Sequence, residues 1–138
     1  MSKILVVDDE ERVCWAFEQF LKEEGHSPLV ASNAQEALEK VTAEKPDLVI
    51  MDIRMPGMDG LEFMREVKEL GDDVEVIVLT GSVSIENAVK ALRDDGAFDF
   101  LAKPLKNMDQ LINSVEKALK KHRLHKKRGA FQEDKTGQ

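Results

Sequence analysis

The 138-residue sequence lacks the residues that mark several protein classes: it has one cysteine, four prolines, no tyrosine and no long apolar run. The lone Cys14 cannot form an internal disulfide. It lies in a helical pattern without a paired histidine, which favours a buried or half-buried thiol over a nucleophile. No apolar run approaches the roughly 20 residues that a bilayer crossing needs, and the first residues lead into a strand pattern rather than a signal-peptide core. We therefore expect a cytoplasmic protein that does not enter a membrane.

Negative charge fills the body of the chain, and positive charge is concentrated at its end. Residues 1–116 hold 12 Lys and Arg against 25 Asp and Glu, a net charge of −13, whereas residues 117–138 hold 8 against 2, a net charge of +6. An acidic body is a poor match for the phosphates of nucleic acid, so we expect it not to bind DNA directly. The basic segment is typical of a solvated helix end or linker, with contact to nucleic acid or to the acidic body as the alternatives.

Four apolar runs end abruptly in polar residues. Residues 4–7 lead into Asp8-Asp9, residues 48–51 into Asp52, residues 76–79 into Thr80, and residues 98–102 into Lys103. Apolar runs without alternation are typical of parallel strands that are buried on both faces. Residues 27–31 form a fifth, weaker strand pattern. In open α/β sheets the carboxyl ends of the strands are where ligands bind, so these polar groups are expected to converge on one crevice.

Helical patterns separate the strands and follow the last one. Five strands alternating with five helices predict an α/β, flavodoxin-like, doubly wound parallel sheet of order 2-1-3-4-5, in which strands 1 and 3 are neighbours. The fourth helix is predicted at residues 84–95. The last begins after Pro104 and is predicted to end near His122. We assign residues 1–120 to one domain and residues 121–138 to a basic helix extension or linker that is partly disordered.

Carboxylates gathered in one crevice repel one another, so they bind either protons or a cation. Oxygen ligands without nearby His or Cys favour Mg²⁺ over zinc or copper. Mg²⁺ takes one or two protein carboxylates and leaves positions for phosphoryl oxygens. Asp52 can then act as a ligand and as a nucleophile that forms an aspartyl phosphate. The Thr80 hydroxyl and the Lys103 ammonium are placed to stabilise the phosphoryl charge.

Over about residues 3–120 the chain resembles the receiver domain of two-component response regulators. The resemblance rests on five motifs in this order: Asp8-Asp9, Asp52, Met55-Pro56-Gly57-Met58-Asp59-Gly60, Thr80-Gly81, and Phe100-Leu101-Ala102-Lys103-Pro104. It implies that Asp52 is the phosphoacceptor and that Asp9 coordinates Mg²⁺ directly. Asp8 would support the metal, often through water, and the backbone carbonyl of Arg54 would complete the protein ligands.

The resemblance also implies how the signal is received and passed on. Thr80 and Lys103 would bind the phosphoryl group, and Phe100 would turn inward as Thr80 moves toward the phosphate. A sensor histidine kinase would donate the phosphoryl group. The output would appear on the face formed by the helix at 84–95, the fifth strand and the last helix, and would control an output domain or a downstream protein.

The segment from Gly96 to Pro104, together with Trp15, is similar to NtrC-like regulators, in which a receiver precedes an ATPase and a DNA-binding module. The chain is expected to be either a receiver cut from such a protein or a stand-alone receiver. Its last helix is expected to offer contacts for a homodimer. The spacing from Thr80 to Lys103 is one residue longer than is typical of the family, with the surplus near residues 93–95.

Several alternatives remain at this point. An Asp-nucleophile phosphohydrolase would need an Asp-x-Asp arrangement on the first strand, and a flavodoxin-like cofactor binder would need a phosphate loop there. A receiver-like interaction module that is never phosphorylated is the third alternative. Taken singly, the polar residues at the strand ends could be helix caps or loop residues, and Phe100 could be a core residue. We expect Trp15, Phe17 and Phe20 to pack in the core, and His26, His122 and His125 to face solvent.

Overall fold

The computed structural model describes the backbone of residues 2–52, 60–71, 73–80, 97–102 and 108–136, without the side chains of Leu61, Thr80, Ala102 and residues 125–136. The strands in these ranges are β1 (Lys3–Val7), β2 (Ser27–Ala31), β3 (Leu48–Met51), β4 (Glu75–Thr80) and β5 (Asp99–Ala102). The helices are α1 (Glu11–Glu23), α2 (Ala34–Glu44), α3 (Gly60–Leu70) and the C-terminal helix (Met108–Thr136). The helix predicted at residues 84–95, with the surplus residue near its end, lies outside the described residues.

The five strands form one sheet in the order β2-β1-β3-β4-β5, and every neighbouring pair is parallel. The predicted fold class and strand order are therefore confirmed. β1 lies between β2 and β3, so the strand order reverses direction at the β1–β3 boundary. In open α/β sheets this is the place where a crevice forms at the carboxyl ends of the strands.

Both faces of the sheet are buried, which explains why its strands read as continuous apolar runs. Successive residues of β1 point to opposite faces. Leu5 and Val7 belong to a core cluster that α2 and α3 complete, whereas Ile4 and Val6 belong to a second cluster, completed by α1 and the C-terminal helix. Because each face is covered by helices, only the ends of the strands are left to present polar groups.

Residues on either side of β2 stabilise the ends of two helices. After α1, Gly25 adopts a φ of 86°, and the next amide, that of His26, donates to the Leu21 carbonyl at 2.9 Å. Glycine reaches this left-handed conformation without the steric cost of a Cβ atom. Asn33 caps α2, because its side-chain oxygen accepts a hydrogen bond from the Glu36 amide at 2.8 Å. The first of these helix ends precedes β2 and the second follows it, so together they bound this strand.

The C-terminal helix is longer than the sequence predicted. Its backbone is helical through Thr136, so the predicted end near His122 was wrong. No proline follows Pro104, and residues 117–136 are rich in good helix formers, which together tolerate the single Gly129. None of the helices in the described parts of the chain combines the length and the apolar character that a bilayer crossing needs. The division at residue 120 stays a prediction.

One of the three aromatic residues of α1 does not pack as predicted. Phe17 and Phe20 pack against the core cluster on the α1 side of the sheet, as expected. Trp15 is 65% exposed, so the prediction that it packs in the core was wrong. Cys14 and Leu21 point from this helix into the core. Trp15 follows Cys14 and is therefore rotated about 100° around the helix axis, away from the core.

The histidines also differ from the prediction. His122 is only 4% exposed and His26 is half-buried, so the expectation that both face solvent was wrong. The residues next to them in the sequence do not indicate burial, because their acidic neighbours come from distant parts of the chain. His122 contacts Asp47 and Asp73, and His26 contacts Glu116. The side chain of His125 lies outside the described residues.

Candidate functional site

Two of the predicted carboxylates meet at the carboxyl ends of β1 and β3. In the register of this pair Val7 lies opposite Met51, and Asp8 and Asp52 are the next residue on each strand. The Asp52 amide donates to the Val7 carbonyl at 3.2 Å, which continues the strand pairing by one residue. Asp8 is buried, at 3% exposure, and Asp52 is half-buried. The parallel pairing thus places two acids side by side at the switch point of the sheet.

Asp8 and Asp9 differ in their surroundings although they are adjacent in sequence. The Asp8 amide donates to the Ala31 carbonyl at 3.1 Å, and one Asp8 carboxylate oxygen accepts a hydrogen bond from the Glu10 amide at 3.0 Å. These contacts fix the orientation of the Asp8 side chain. Asp9 is exposed. Asp8 is therefore a pre-oriented acid, whereas Asp9 is accessible from solvent at the mouth of the crevice.

The acids at this edge fit a magnesium ion, although they do not form a closed metal centre. Within the described ranges, no three His, Cys, Asp or Glu side chains are arranged to hold a metal ion. Mg²⁺ does not need such a group, because it binds one or two carboxylates and completes its shell with carbonyls, waters and phosphoryl oxygens. The buried Asp8 beside Asp52 supplies carboxylates of the required kind. The predicted carbonyl ligand, that of Arg54, lies outside the described residues.

Cys14 lies next to the acidic edge but is not reactive. Its thiol donates to the Asp8 carbonyl at 3.3 Å. Burial raises the pKa of the Cys14 thiol, and the negative charge of Asp8 raises it further. A thiol with a raised pKa is protonated at neutral pH and is a weak nucleophile. The prediction of a buried structural thiol is confirmed.

The two residues predicted to bind phosphate are Thr80, at the end of β4, and Lys103, the residue after β5 in the sequence. Thr80 is the last residue of β4 and lies opposite Ala102, so its backbone reaches the same edge as Asp52. Its side chain is not among those described. Lys103 directly follows Ala102 in the sequence but lies outside the described residues. The described backbone therefore brings Thr80 and Ala102 to the edge of the sheet where the crevice lies. The placement of the Thr80 hydroxyl and of the Lys103 ammonium stays a prediction.

Phe100, the predicted switch residue, lies on the edge strand β5. It is half-buried and packs against the core cluster on the α2 and α3 side of the sheet. The Phe100 amide donates a hydrogen bond to a carboxylate oxygen of the preceding Asp99 at 2.8 Å. The second carboxylate oxygen of Asp99 accepts a hydrogen bond from the buried Ser114 hydroxyl at 2.7 Å. The predicted switch strand is thus tied directly to the C-terminal helix.

An open cleft of about 820 Å³ adjoins Asp8. Its walls come from α1, from the end of β2 and from the start of α2, and they include Arg12, Trp15, Ser32 and Glu36. We did not predict these residues as part of a site. The one available sequence signal was Trp15, a large aromatic residue that the helical pattern around Cys14 and Leu21 turns away from the core.

Comparisons with known proteins agree with this geometry. The family model of the response regulator receiver domain matches residues 4–116. The transcriptional regulatory protein ZraR of Escherichia coli is 40% identical over 116 residues, which are 84% of this chain and 26% of ZraR. The DNA-binding transcriptional regulator NtrC of the same organism is 36% identical over 84% of this chain and 24% of NtrC. The chain thus spans about a quarter of the length of these relatives.

A solved structure gives the same result at the level of the fold. The response regulator TrrA from Thermotoga maritima, determined in complex with Mg²⁺ and beryllium fluoride, superposes with a TM-score of 0.76 at 36% identity. The match covers 86% of this chain and 99% of that one. With the family model matching most of its length, the chain belongs to the response regulator receiver domains and is similar to those of NtrC-like regulators.

Proposed function

We propose that Asp52 accepts a phosphoryl group from a phosphorylated histidine of a sensor kinase, in a reaction that depends on Mg²⁺. The observation that carries this proposal is the β1–β3 register, which sets Asp52 beside the buried Asp8 at the switch point of the sheet. Asp52 directly follows a strand, so the sheet holds its backbone while its side chain reaches the crevice. A half-buried carboxylate remains accessible to an incoming phosphoryl group.

The transfer is a substitution at phosphorus. An oxygen of the Asp52 carboxylate attacks the phosphorus atom, an O–P bond forms, and the N–P bond of the donor histidine breaks. The donor ring carries a proton on its other nitrogen, so the histidine leaves with the electron pair of the N–P bond as a neutral imidazole. With a small donor such as acetyl phosphate, the leaving group is acetate. The domain would thus support its own phosphorylation with more than one donor.

The acids of β1 would hold the metal ion next to the nucleophile. We assign direct coordination to Asp9, Asp52 and the Arg54 carbonyl, with the pre-oriented Asp8 as support. Bound there, the ion supplies charge that offsets the repulsion between the carboxylates and the phosphoryl oxygens. The division of roles between Asp8 and Asp9 is supported by their exposure, since Asp8 is buried and Asp9 is open to solvent.

Thr80 and Lys103 would complete the site from β4 and β5. The Thr80 hydroxyl donates to one phosphoryl oxygen, and the Lys103 ammonium forms a charge-assisted hydrogen bond with another. Because Thr80 is then drawn toward the phosphate, space is freed for Phe100 to move further inward. Phosphorylation would shift an existing equilibrium between two packings rather than create a new fold.

The output would leave through the face that includes β5 and the C-terminal helix. The Asp99–Ser114 hydrogen bond supports this direction, because it joins the strand of Phe100 to that helix. ZraR and NtrC are transcriptional regulators, and we propose by analogy an output domain or a partner that acts in transcription. The C-terminal helix would serve as the connection to it, as residues 121–138 were predicted to do. Leu124, at 47% exposure, is available for contact with a second copy.

Intact mass spectrometry tests the proposal. The protein is incubated with acetyl phosphate, with and without Mg²⁺, beside Asp52→Asn and the control Asp47→Asn, which changes an acid at the opposite end of β3. We expect one phosphoryl adduct in the wild type and in Asp47→Asn, present only with Mg²⁺ and absent from Asp52→Asn. An adduct that persists in Asp52→Asn would refute the assignment. No adduct in any sample would favour the unphosphorylated interaction module.

A further inference from the structure

The open cleft beside Asp8 is lined by a face of α1 that the proposed phosphoryl transfer does not use. Glu11, Trp15 and Glu18 all line the cleft, and their spacing of four and three positions places them on one face of the helix. The Trp15 side chain is 65% exposed. Tryptophan is enriched among the residues that dominate the energy of protein interfaces. An exposed tryptophan on the wall of a cleft therefore favours a binding surface over a purely solvated helix face.

The charge of this cleft favours a cationic partner. Its described lining residues include four carboxylates and one arginine. Two of these acids have little to offer a partner, because Asp8 is buried and Glu36 already forms an ion pair within α2 at 3.3 Å. The other two, Glu11 and Glu18, flank Trp15 on α1. A lysine or arginine placed there would gain an ion pair with an acid and a cation–π contact with the indole ring.

The end of the C-terminal helix carries the matching charge. Residues 117–138 hold 8 Lys and Arg against 2 Asp and Glu, and the backbone is helical through Thr136. Leu124 is 47% exposed, and Lys127 and Arg128 follow it by three and four positions. Residues at this spacing are neighbours on a helix surface. The helix end thus combines an exposed apolar residue with two cations one turn further along.

The direction of the C-terminal helix prevents its end from reaching the cleft of its own copy. The helix crosses the amino ends of the strands at Lys121, which pairs with Glu75, the first residue of β4, at 3.5 Å. The cleft adjoins Asp8 at the other end of the sheet, about 16 Å away along β1. Residues 125–136 continue the helix for about 18 Å in the direction that leads away from the cleft. This segment can therefore meet only the cleft of another copy.

We propose that residues 120–136 of one copy, the helix end, bind in the cleft beside α1 of a second copy. Leu124 packs against Trp15, and the basic residues that follow it pair with Glu11 and Glu18. The interface joins two different surfaces, so the copies either exchange their helix ends in a closed dimer or extend into a chain of molecules. It needs no phosphoryl group and does not depend on the proposed function.

The fluorescence of Trp15 reports directly on this interface, because it is the only tryptophan of the chain. Its emission maximum moves to shorter wavelength when another copy covers the indole ring. We expect this shift as the full chain is concentrated from roughly 10 µM to 1 mM at low salt, together with a rise in average mass in sedimentation. Both changes should be weakened by about 0.5 M salt, which screens charges over a few ångströms.

Charge reversal on each side tests which surfaces meet. The cleft variant is Glu11→Lys/Glu18→Lys, and the helix-end variant is Lys127→Glu/Arg128→Glu. Each replaces two attractions by two repulsions and should raise the dissociation constant by roughly tenfold. An equimolar mixture of the two variants should associate as the wild type does. Every contact between unlike copies in that mixture joins either two reversed surfaces or two native ones.

A matched control separates the cleft from the overall charge of the protein. Glu66 and Glu69 are exposed acids on α3, which covers the other face of the sheet from α1. Glu66→Lys/Glu69→Lys makes the same change in net charge as the cleft variant. We expect its Trp15 emission and its average mass to follow those of the wild type at every concentration.

Four results would overturn the proposal. The first is a wild-type emission and mass that do not change with concentration. The second is association that the cleft variant keeps and the helix-end variant loses, which would show that two helix ends pair with each other. The third is a mixture that associates no better than its components, because the two surfaces then do not meet. The fourth is an equal loss of association in the α3 control, which would assign the effect to net charge.

Discussion

The two ends of the sheet both present acids, but they hold them in different ways. At the amino ends, Asp47 and Glu75 are matched by His122 and Lys121, which the C-terminal helix brings into contact. At the carboxyl ends, Asp8 and Asp52 lie side by side, and the cations proposed for them are a metal ion and Lys103. An acid at a strand end is therefore not a site by itself. The described contacts at the amino ends pair acids with side chains of the C-terminal helix, whereas the proposal for the carboxyl ends assigns its acids to a metal ion and a phosphoryl group.

The comparison predicts that magnesium stabilises one end only. At a concentration 100 times its dissociation constant, an ion that binds only the folded state adds about 2.7 kcal/mol to the free energy of unfolding. We expect Asp9→Asn to lose most of this increment and Asp47→Asn to keep it, whatever the stability of each variant without metal. Urea unfolding with and without Mg²⁺ measures both. An equal increment in the wild type and Asp9→Asn would mean that the ion binds elsewhere.

Removing an acid at the amino ends should instead reduce stability with or without metal. Asp47→Ala leaves the Lys3 amide and the buried His122 without the acceptor that each now contacts. We expect a loss of about 2 kcal/mol in the free energy of unfolding. The measurement is a urea titration of Asp47→Ala, with Glu39→Ala, an exposed acid on α2, as the control. A loss no larger than that of the control would show that the contacts of Asp47 with Lys3 and His122 contribute little.

A smaller effect should mark the contact between β5 and the C-terminal helix. Ser114 is buried on the C-terminal helix and donates to Asp99 on β5. Ser114→Ala should lower the free energy of unfolding by about 1 kcal/mol, because Asp99 loses a partly buried hydrogen bond. The exposed neighbour Asn113 is the control, and Asn113→Ala should change stability by less than about 0.5 kcal/mol. Equal effects of the two substitutions would remove the support for β5 as the link to this helix.

The smallest effect is expected from Glu36, a partly exposed acid that lines the cleft. Burial would raise the pKa of Glu36, but hydrogen bonds from Lys40 and Ser32 outweigh it and hold this pKa below its ordinary value. The stabilisation is therefore complete above the ordinary pKa and is lost as the pH falls through the lowered one. Because Glu36 is largely solvated, the contribution should stay below about 0.5 kcal/mol. Unfolding of the wild type and Glu36→Gln at neutral and acidic pH should differ by no more than this.

The strands of the sheet and their order could be predicted from the sequence. Apolar runs that stop at acids identified the strands, and the alternation with helices defined the order that places Asp8 beside Asp52. These signals are local in sequence, since they depend on the residue types of one strand or one turn. The capping of α2 by Asn33 was predictable for the same reason.

The sequence did not predict the features that depend on contacts between distant segments. His122 lies 75 residues from Asp47, and nothing in its neighbourhood indicates burial. Trp15 was assigned to the core because aromatic residues usually pack, but its angle around α1 directs it outward. The C-terminal helix extends beyond its last apolar positions, because the residues that follow them still favour the helical conformation. In each case tertiary context, rather than residue type, determined the outcome.

The most direct test of the account is to locate the modified residue chemically. After phosphorylation with acetyl phosphate and Mg²⁺, borohydride reduction converts an aspartyl phosphate to homoserine, and peptide sequencing by mass spectrometry then identifies the position. The account predicts homoserine at residue 52 alone, with the acids at residues 8 and 47 unchanged. Homoserine at residue 8 or 9 instead of residue 52 would contradict the proposal that Asp52 is the nucleophile of this site.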